Sequence, residues 1–264
     1  MESKIPEALE EILSNNTAGS TELLEHLNGF FLHNPGKKDH FGEYISLAYM
    51  RLTTFASIQN YLKELKAVLE NQGPEEVRSF LLKTETGMKS FYQRLYQNAK
   101  PVIGNFHSVI TISNSYTLTQ VFKLWQKVNP SLRVFIAESR PKCEGRIMAE
   151  KLLSFGIRVE FILDSMTAEY TALADGAIIG ADMVLSNGNV VNKSGSMLLA
   201  LAAKHYNRPF IVLTGKDKFS SNQNYTLEEY PAEEVWAYRH ENLKVTNHYF
   251  EEVEKDLITH IITD

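Results

Sequence analysis

Val109–Ala137 reads VITISNSYTLTQVFKLWQKVNPSLRVFIA, and its reading decides the fold. Val109-Ile-Thr-Ile112 is a short β-branched apolar run. Tyr116–Val128 has helical spacing and ends at Asn129-Pro130, and Leu132–Ala137 is apolar and β-rich again. Strand, helix and strand within one short stretch make a βαβ unit, which implies parallel strands. The same alternation continues. Lys142–Phe155 is a helix closed by Gly156, Arg158–Leu163 a strand, and Thr167–Leu173 a short helix. Ala177–Ile179 is a strand, Gly195–Tyr206 a helix and Pro209–Leu213 a fifth strand. Several strands are nearly continuous apolar runs, as strands covered on both faces are. The fold class is therefore α/β with a mostly parallel sheet.

Upstream of this stretch the chain reads as helices. Leu23, Leu24, Leu27, Phe30 and Phe31 form an apolar face before Asn34-Pro35-Gly36. Phe55, Ile58, Leu62, Leu65 and Leu69 follow the 3, 4, 3, 4 spacing of a helix buried on one side. Gln72-Gly73-Pro74 interrupts, and Phe80, Leu81, Met88, Phe91 and Leu95 carry a further helix. Two domains are expected, a helical one over residues 1–100 and an α/β one over residues 101–264.

Composition narrows the class. The 264 residues are 44% hydrophobic and 22% charged, which is ordinary for a folded protein. One cysteine excludes an internal disulfide framework and fits a reducing compartment. The net charge of -5 argues against a nucleic-acid partner. It is unevenly spread: residues 101–227 hold 13 basic and 9 acidic side chains, residues 228–264 hold 3 and 10. A basic middle suits an anionic ligand. The acidic start MESKIPEALEEIL shows no leader, and the longest apolar run, Met197–Ala203, is too short to span a bilayer. A cytoplasmic protein with no membrane partner is expected.

Open parallel sheets bind ligands beyond the carboxyl ends of their strands. There the chain places Ser113-Asn114-Ser115, Glu138-Ser139-Arg140-Pro141, Asp164-Ser165, Gly180-Ala181-Asp182 and Asn192-Lys193-Ser194-Gly195. Ser113, Asn114 and Ser115 offer an anion hydroxyls and a helix N-terminus, and Ser115 alternatively caps that helix. Arg140 is a fork for phosphate or a partner in a structural ion pair. Asp182 ends a buried strand, where desolvation raises a carboxyl pKa toward use in proton transfer, or it is a local cap. Lys193 aims an ammonium at the helix N-terminus opened by Gly195. The Asn187-Gly188 turn returns that segment over Asp182. Cys143, one turn into a helix, is a further thiol candidate. No P-loop, no H-E-x-x-H and no paired cysteines occur, so neither a metal nor a cofactor is expected.

Glu138-Ser-Arg-Pro141, Glu144-Gly-Arg146, Gly180-Ala-Asp182, Asn187-Gly188 and Val191-Asn-Lys-x-Gly195, in that order, resemble the superfamily of translation initiation factor 2B alpha, beta and delta subunits. That superfamily includes methylthioribose-1-phosphate isomerase and ribose-1,5-bisphosphate isomerase. The resemblance implies a helical domain followed by a Rossmann-like domain that dimerises. In the isomerase branches a phosphorylated pentose passes between aldose and ketose forms. A cysteine after the first strand and an aspartate after the fourth move the protons, and an Asn-Lys pair holds the sugar. Here the aspartate is Asp182 and the pair is Asn192 and Lys193. The cysteine position is Ser113, a departure, since an unassisted hydroxyl is a poor acid or base. Ser115 corresponds to a serine near the ligand phosphate. Its usual basic neighbour is Tyr116, and residues 1–100 contain no Arg-Gly-Ala arm. Two functions follow. One is a sugar-phosphate-binding protein with aldose–ketose isomerase chemistry. Its catalytic groups would be Asp182 and Ser113, with Asn114, Ser115, Arg140, Asn192, Lys193 and Gly195 binding substrate. The other is a non-catalytic regulatory protein that senses a nucleotide or sugar phosphate and docks on a protein partner through its helical domain. Both imply a homodimer or higher homo-oligomer.

Overall fold

The computed structural model describes residues 5–15, 18–34, 40–52 and 56–264. Residues 1–4 of the acidic start, Phe55 of the expected stripe and Pro35-Gly36 of the expected breaker lie outside them. The chain divides into two compact units, Met1–Phe91 and Tyr92–Asp264.

The first unit is helical, with α1 Glu7–Ser14, α2 Ser20–His33, α3 Phe41–Arg51, α4 Ala56–Asn71 and the start of α5, Pro74–Ile103. The expected stripes become its core: Leu23, Leu27, Phe31, Ile58, Leu62 and Leu65 are at most 1% exposed. Buried Asn28 is satisfied on both sides. It accepts from the Tyr61 hydroxyl at 3.0 Å and donates to Leu81 O at 3.0 Å, as a polar group in such a core requires. Pro74 opens α5, where a missing N–H costs nothing. The pattern change expected at Pro101 is not a helix end, because α5 runs through that proline to Ile103.

In the second unit the strands are β1 Ser108–Ile112, β2 Arg133–Ala137, β3 Arg158–Ile162, β4 Gly176–Ile179, β5 Met183–Val184, β6 Val190–Lys193, β7 Phe210–Leu213, β8 Phe250–Val253 and β9 His260–Ile262. The helices are α6 Tyr116–Gln126, α7 Gly145–Ser154, α8 Thr167–Leu173 and α9 Ser196–His205. Six strands form one sheet in the order β3-β2-β1-β4-β7-β9, all parallel. This is the doubly wound order, whose direction of winding reverses between β1 and β4. Ile110, Ile112, Phe135 and Ala137 pack into one cluster with Leu199, Ala200 and Ala203 of α9. The alternate residues Val109, Val134 and Ile136 are equally buried, so both faces are covered.

The five expected strands are therefore present, and a sixth, β9, extends the sheet. A separate antiparallel sheet, β5-β6-β8, was not foreseen. Its β5–β6 hairpin is the return expected at Asn187-Gly188: Met183 pairs with Val191, and Gly188 sits at φ +90°. The helix expected from Lys142 begins only at Gly145. Cys143 is thus not inside a helix; it lies in the preceding turn with φ +55°.

Candidate functional site

The reversal point of the sheet lies between the ends of β1 and β4. The chain leaves those ends as Ser113-Asn114-Ser115 and Gly180-Ala181-Asp182. The two turns touch: a Cβ on Gly180 would lie 2.8 Å from Ser115 Oγ. Ser115 is the cap of α6, accepting from Leu118 N–H at 3.3 Å. Asn114 Oδ1 beside it is buried without a hydrogen-bond partner, a state that folded proteins seldom leave to an acceptor.

Ser113 takes a left-handed backbone, φ +63°, which costs a non-glycine residue about 1 kcal/mol or more. It is held there by its surroundings. Its N–H donates to Ser139 Oγ at 2.6 Å. The N–H groups of Ser139 and Arg140 in turn donate to the Asp164 carboxylate, each at 2.8 Å. The ends of β1, β2 and β3 are thereby tied in one row. Ser113 Oγ donates to Glu144 Oε2 at 2.8 Å, and Lys193 Nζ donates to Glu144 Oε1 at 2.9 Å. The Glu144 side chain is 5% exposed and that of Lys193 21%. Lys193 Nζ also lies 4.8 Å from the ring centres of both Tyr249 and Phe250, a cation–π arrangement.

Asp182 is half-buried. Its N–H donates to Val191 O at 2.9 Å, which seats it beside Asn192 and Lys193. Burial pushes its carboxyl above the usual range, and the negative charge of Glu144 adds to that. The ammonium groups of Lys218 and Lys193 pull the other way without cancelling it. Ser113, Glu144, Lys193 and Asp182 thus form one electrostatically connected group at the reversal point.

Two expected contacts, those of Arg140 and of the α9 N-terminus, are not brought there. The Arg140 guanidinium is exposed and donates to Val235 O at 3.2 Å. Gly195, at φ +103°, is the residue before α9, but its N–H donates to Glu251 Oε1 at 2.7 Å, and Met197 N–H donates to the same oxygen at 2.8 Å. The α9 N-terminus, expected to face an anionic ligand and Lys193, is filled by a carboxylate of the chain itself, and Lys193 turns to Glu144. Asn192 is buried and donates to Ser196 Oγ at 2.8 Å. Glu251→Ala leaves two N–H groups of α9 unpaired and removes a charge that complements the helix dipole. The expected loss is about 1–2 kcal/mol of stability, measured by urea unfolding.

Asp164 stands at the strand end where the sequence placed it, whereas Glu144, Glu251 and Lys218 carry no role in the sequence reading. The Glu-Gly-Arg motif carried a hint for Glu144; Glu251 and Lys218 have no local signature. Cys143 Sγ lies 3.8 Å from Pro141 O, in its own turn. Among the described residues no cluster of three or more His, Cys, Asp or Glu could hold a metal ion.

Known proteins resemble this chain in sequence and in fold. Ribose 1,5-bisphosphate isomerase of Archaeoglobus fulgidus is 33% identical over 164 residues, covering 60% of this chain and 52% of that protein. Translation initiation factor eIF2B subunit delta of Dictyostelium discoideum is 28% identical over 168 residues, covering 61% of this chain and 27% of its own length. The match therefore spans about half of the first relative and about a quarter of the second. The crystal structure of 5-methylthioribose 1-phosphate isomerase from Pyrococcus horikoshii has the same fold, with a TM-score of 0.82 at 20% identity over 97% of this chain and 82% of that one. Residues 45–264, the whole second unit and much of the first, match the Initiation factor 2 subunit family, and the chain belongs to it.

Proposed function

We propose that the chain binds a phosphorylated sugar in the crevice between the ends of β1 and β4 and interconverts the aldose and ketose forms of a phosphorylated pentose. The observation that carries this reading is Asp182, a carboxyl whose pKa is raised by burial, standing within the field of Lys193, Lys218 and Glu144 at the reversal point of the sheet. A carboxyl whose pKa is raised in this way holds its proton more readily than a solvated one and is suited to giving and taking it. In this reading Asp182 gives and takes the oxygen-bound proton, and Ser113 faces the carbon. Asn114 and Ser115 receive the anionic end of the sugar, and Asn192 and Lys193 set the shape and charge of the floor. Gly195 N–H is held by Glu251 and one Arg140 guanidinium nitrogen donates to Val235 O, so neither is assigned to the sugar in this reading. The relatives support the class, since one is named for such an isomerisation. We further propose a helical domain over residues 1–100 and a ligand-binding, dimerising domain over residues 101–264, in a cytoplasmic protein. No described helix is long and apolar enough to cross a membrane.

The test is direct. Purified chain is incubated with ribose-1,5-bisphosphate and with methylthioribose-1-phosphate, and the ketose carbonyl is followed by carbon NMR. Ketose formation from either is expected; neither turnover nor binding overturns the reading. One observation favours the non-catalytic alternative: a serine stands where the resemblance expects a cysteine. Sugar-phosphate or nucleotide binding without turnover, in the wild type and in Ser113→Cys alike, selects that alternative.

A further inference from the structure

A hydroxyl is a weak base on its own and gains strength from an adjacent acceptor for its proton. Ser113 has one. Its Oγ proton is directed at Glu144 Oε2 at 2.8 Å, so the Oγ lone pairs are free to face elsewhere. The backbone delivers this pair with little slack. Ser113 N–H is bonded to Ser139, Asp164 anchors Ser139 and Arg140, and Gly145 packs so closely on Ala137 O that no side chain fits. Lys193 donates to the second Glu144 oxygen at 2.9 Å, which fixes the direction of the carboxylate.

Resting on the isomerase reading, we propose that Glu144 is a positioning residue that turns the Ser113 hydroxyl into the base of the reaction. For a furanose 1-phosphate the atoms balance as follows. The proton on C2 passes to Ser113 Oγ as the Ser113 hydroxyl proton passes to Glu144. The C2–H electron pair becomes the C1=C2 bond, and the ring oxygen leaves C1 with its pair and takes the Asp182 proton. In the return step the C2 hydroxyl gives its proton to Asp182 as C2=O forms, and the C1=C2 pair takes a proton from Ser113 at C1. Glu144 then returns its proton to Ser113. All three groups are restored, and no co-reactant is needed.

The test follows kcat and kcat/KM against pH for the wild type, Glu144→Gln and Glu144→Asp. In Glu144→Gln, kcat is expected to fall about a hundredfold or more, and the decline on the acid side of the profile to vanish. Glu144→Asp keeps that decline, displaced, with part of the rate. An unchanged kcat and acid limb in Glu144→Gln overturn the proposal and leave the isomerase reading intact. If the wild type turns over neither sugar phosphate, the isomerase reading falls. The coupling of residue 113 to Glu144 is then decided by thiolate absorbance in Ser113→Cys/Cys143→Ala. The Glu144 charge is expected to hold the introduced thiol pKa about one unit or more above its value in the same background with Glu144→Gln. Equal thiol pKa values overturn the coupling.

Discussion

Asp182→Asn is expected to lower turnover of the sugar phosphate about a thousandfold and to leave the fold at least as stable near neutral pH. The two halves of this expectation have one cause. Burial is the largest influence on the Asp182 carboxyl and raises its pKa, with Lys218 and Lys193 opposing and Glu144 adding. A carboxyl that binds its proton more tightly in the folded state than in the unfolded one makes stability fall as pH rises from its ordinary pKa to its raised one. Asparagine keeps the shape and has no charge to bury. Its stability advantage over the wild type is therefore absent in acid, grows through that window and is constant above it. Urea unfolding at about pH 4 and about pH 8, beside the kinetic assay, checks the sign. Activity within about tenfold of the wild type removes Asp182 from proton transfer.

Gly145→Ala is expected to be the most destabilising single methyl in the second unit. A Cβ there would lie 2.0 Å from Ala137 O, 3.1 Å from Ala137 C and 3.2 Å from Glu138 Cα. All three are backbone atoms, at the junction of β2 with the turn that carries Ser139 and Arg140, so no flexible side chain can yield. Forced overpacking of this kind costs about 3 kcal/mol or more. At about 2–4 °C per kcal/mol for a chain of this size, the midpoint drops by about 10 °C. Calorimetry measures it. Because Gly145 follows Glu144 directly, the same change displaces the carboxylate from Ser113 and Lys193. Ligand affinity falls together with stability, whereas an ordinary core truncation in the helical unit, such as at Leu62, lowers stability alone. A midpoint within about 2 °C of the wild type refutes the packing argument.

The sheet and the polar turns at its carboxyl end were legible in the sequence because both are written in near neighbours. Apolar runs of strand length alternate with helical spacing, and the doubly wound order then follows from the few topologies parallel strands allow. Asp182 was legible for the same reason: it ends the run Ala177–Ile179, and the end of a buried strand is a partly desolvated place. The N-cap at Ser115 and the hairpin at Asn187-Gly188 are local devices and formed where expected. What misled was also local. Gly145 and the turn before it lie inside a segment of helical composition, and only the approach of Ala137 O shows why the helix starts late.

The sequence by itself therefore determined the class of fold, the polar and charged turns at the carboxyl ends of its strands, and a carboxyl at the end of a buried strand. Tertiary structure alone decided who pairs with whom. Glu144 meets Ser113 across 31 residues and Lys193 across 49, and Glu251 reaches the N-terminus of α9 across 56. β8, reading Phe-Glu-Glu-Val, has no strand pattern of its own; it becomes a strand because β6 offers it an edge, with Asn192 opposite Glu251. Such contacts follow from chain closure around a common core, and a charged side chain carries no local mark of the partner that will neutralise it.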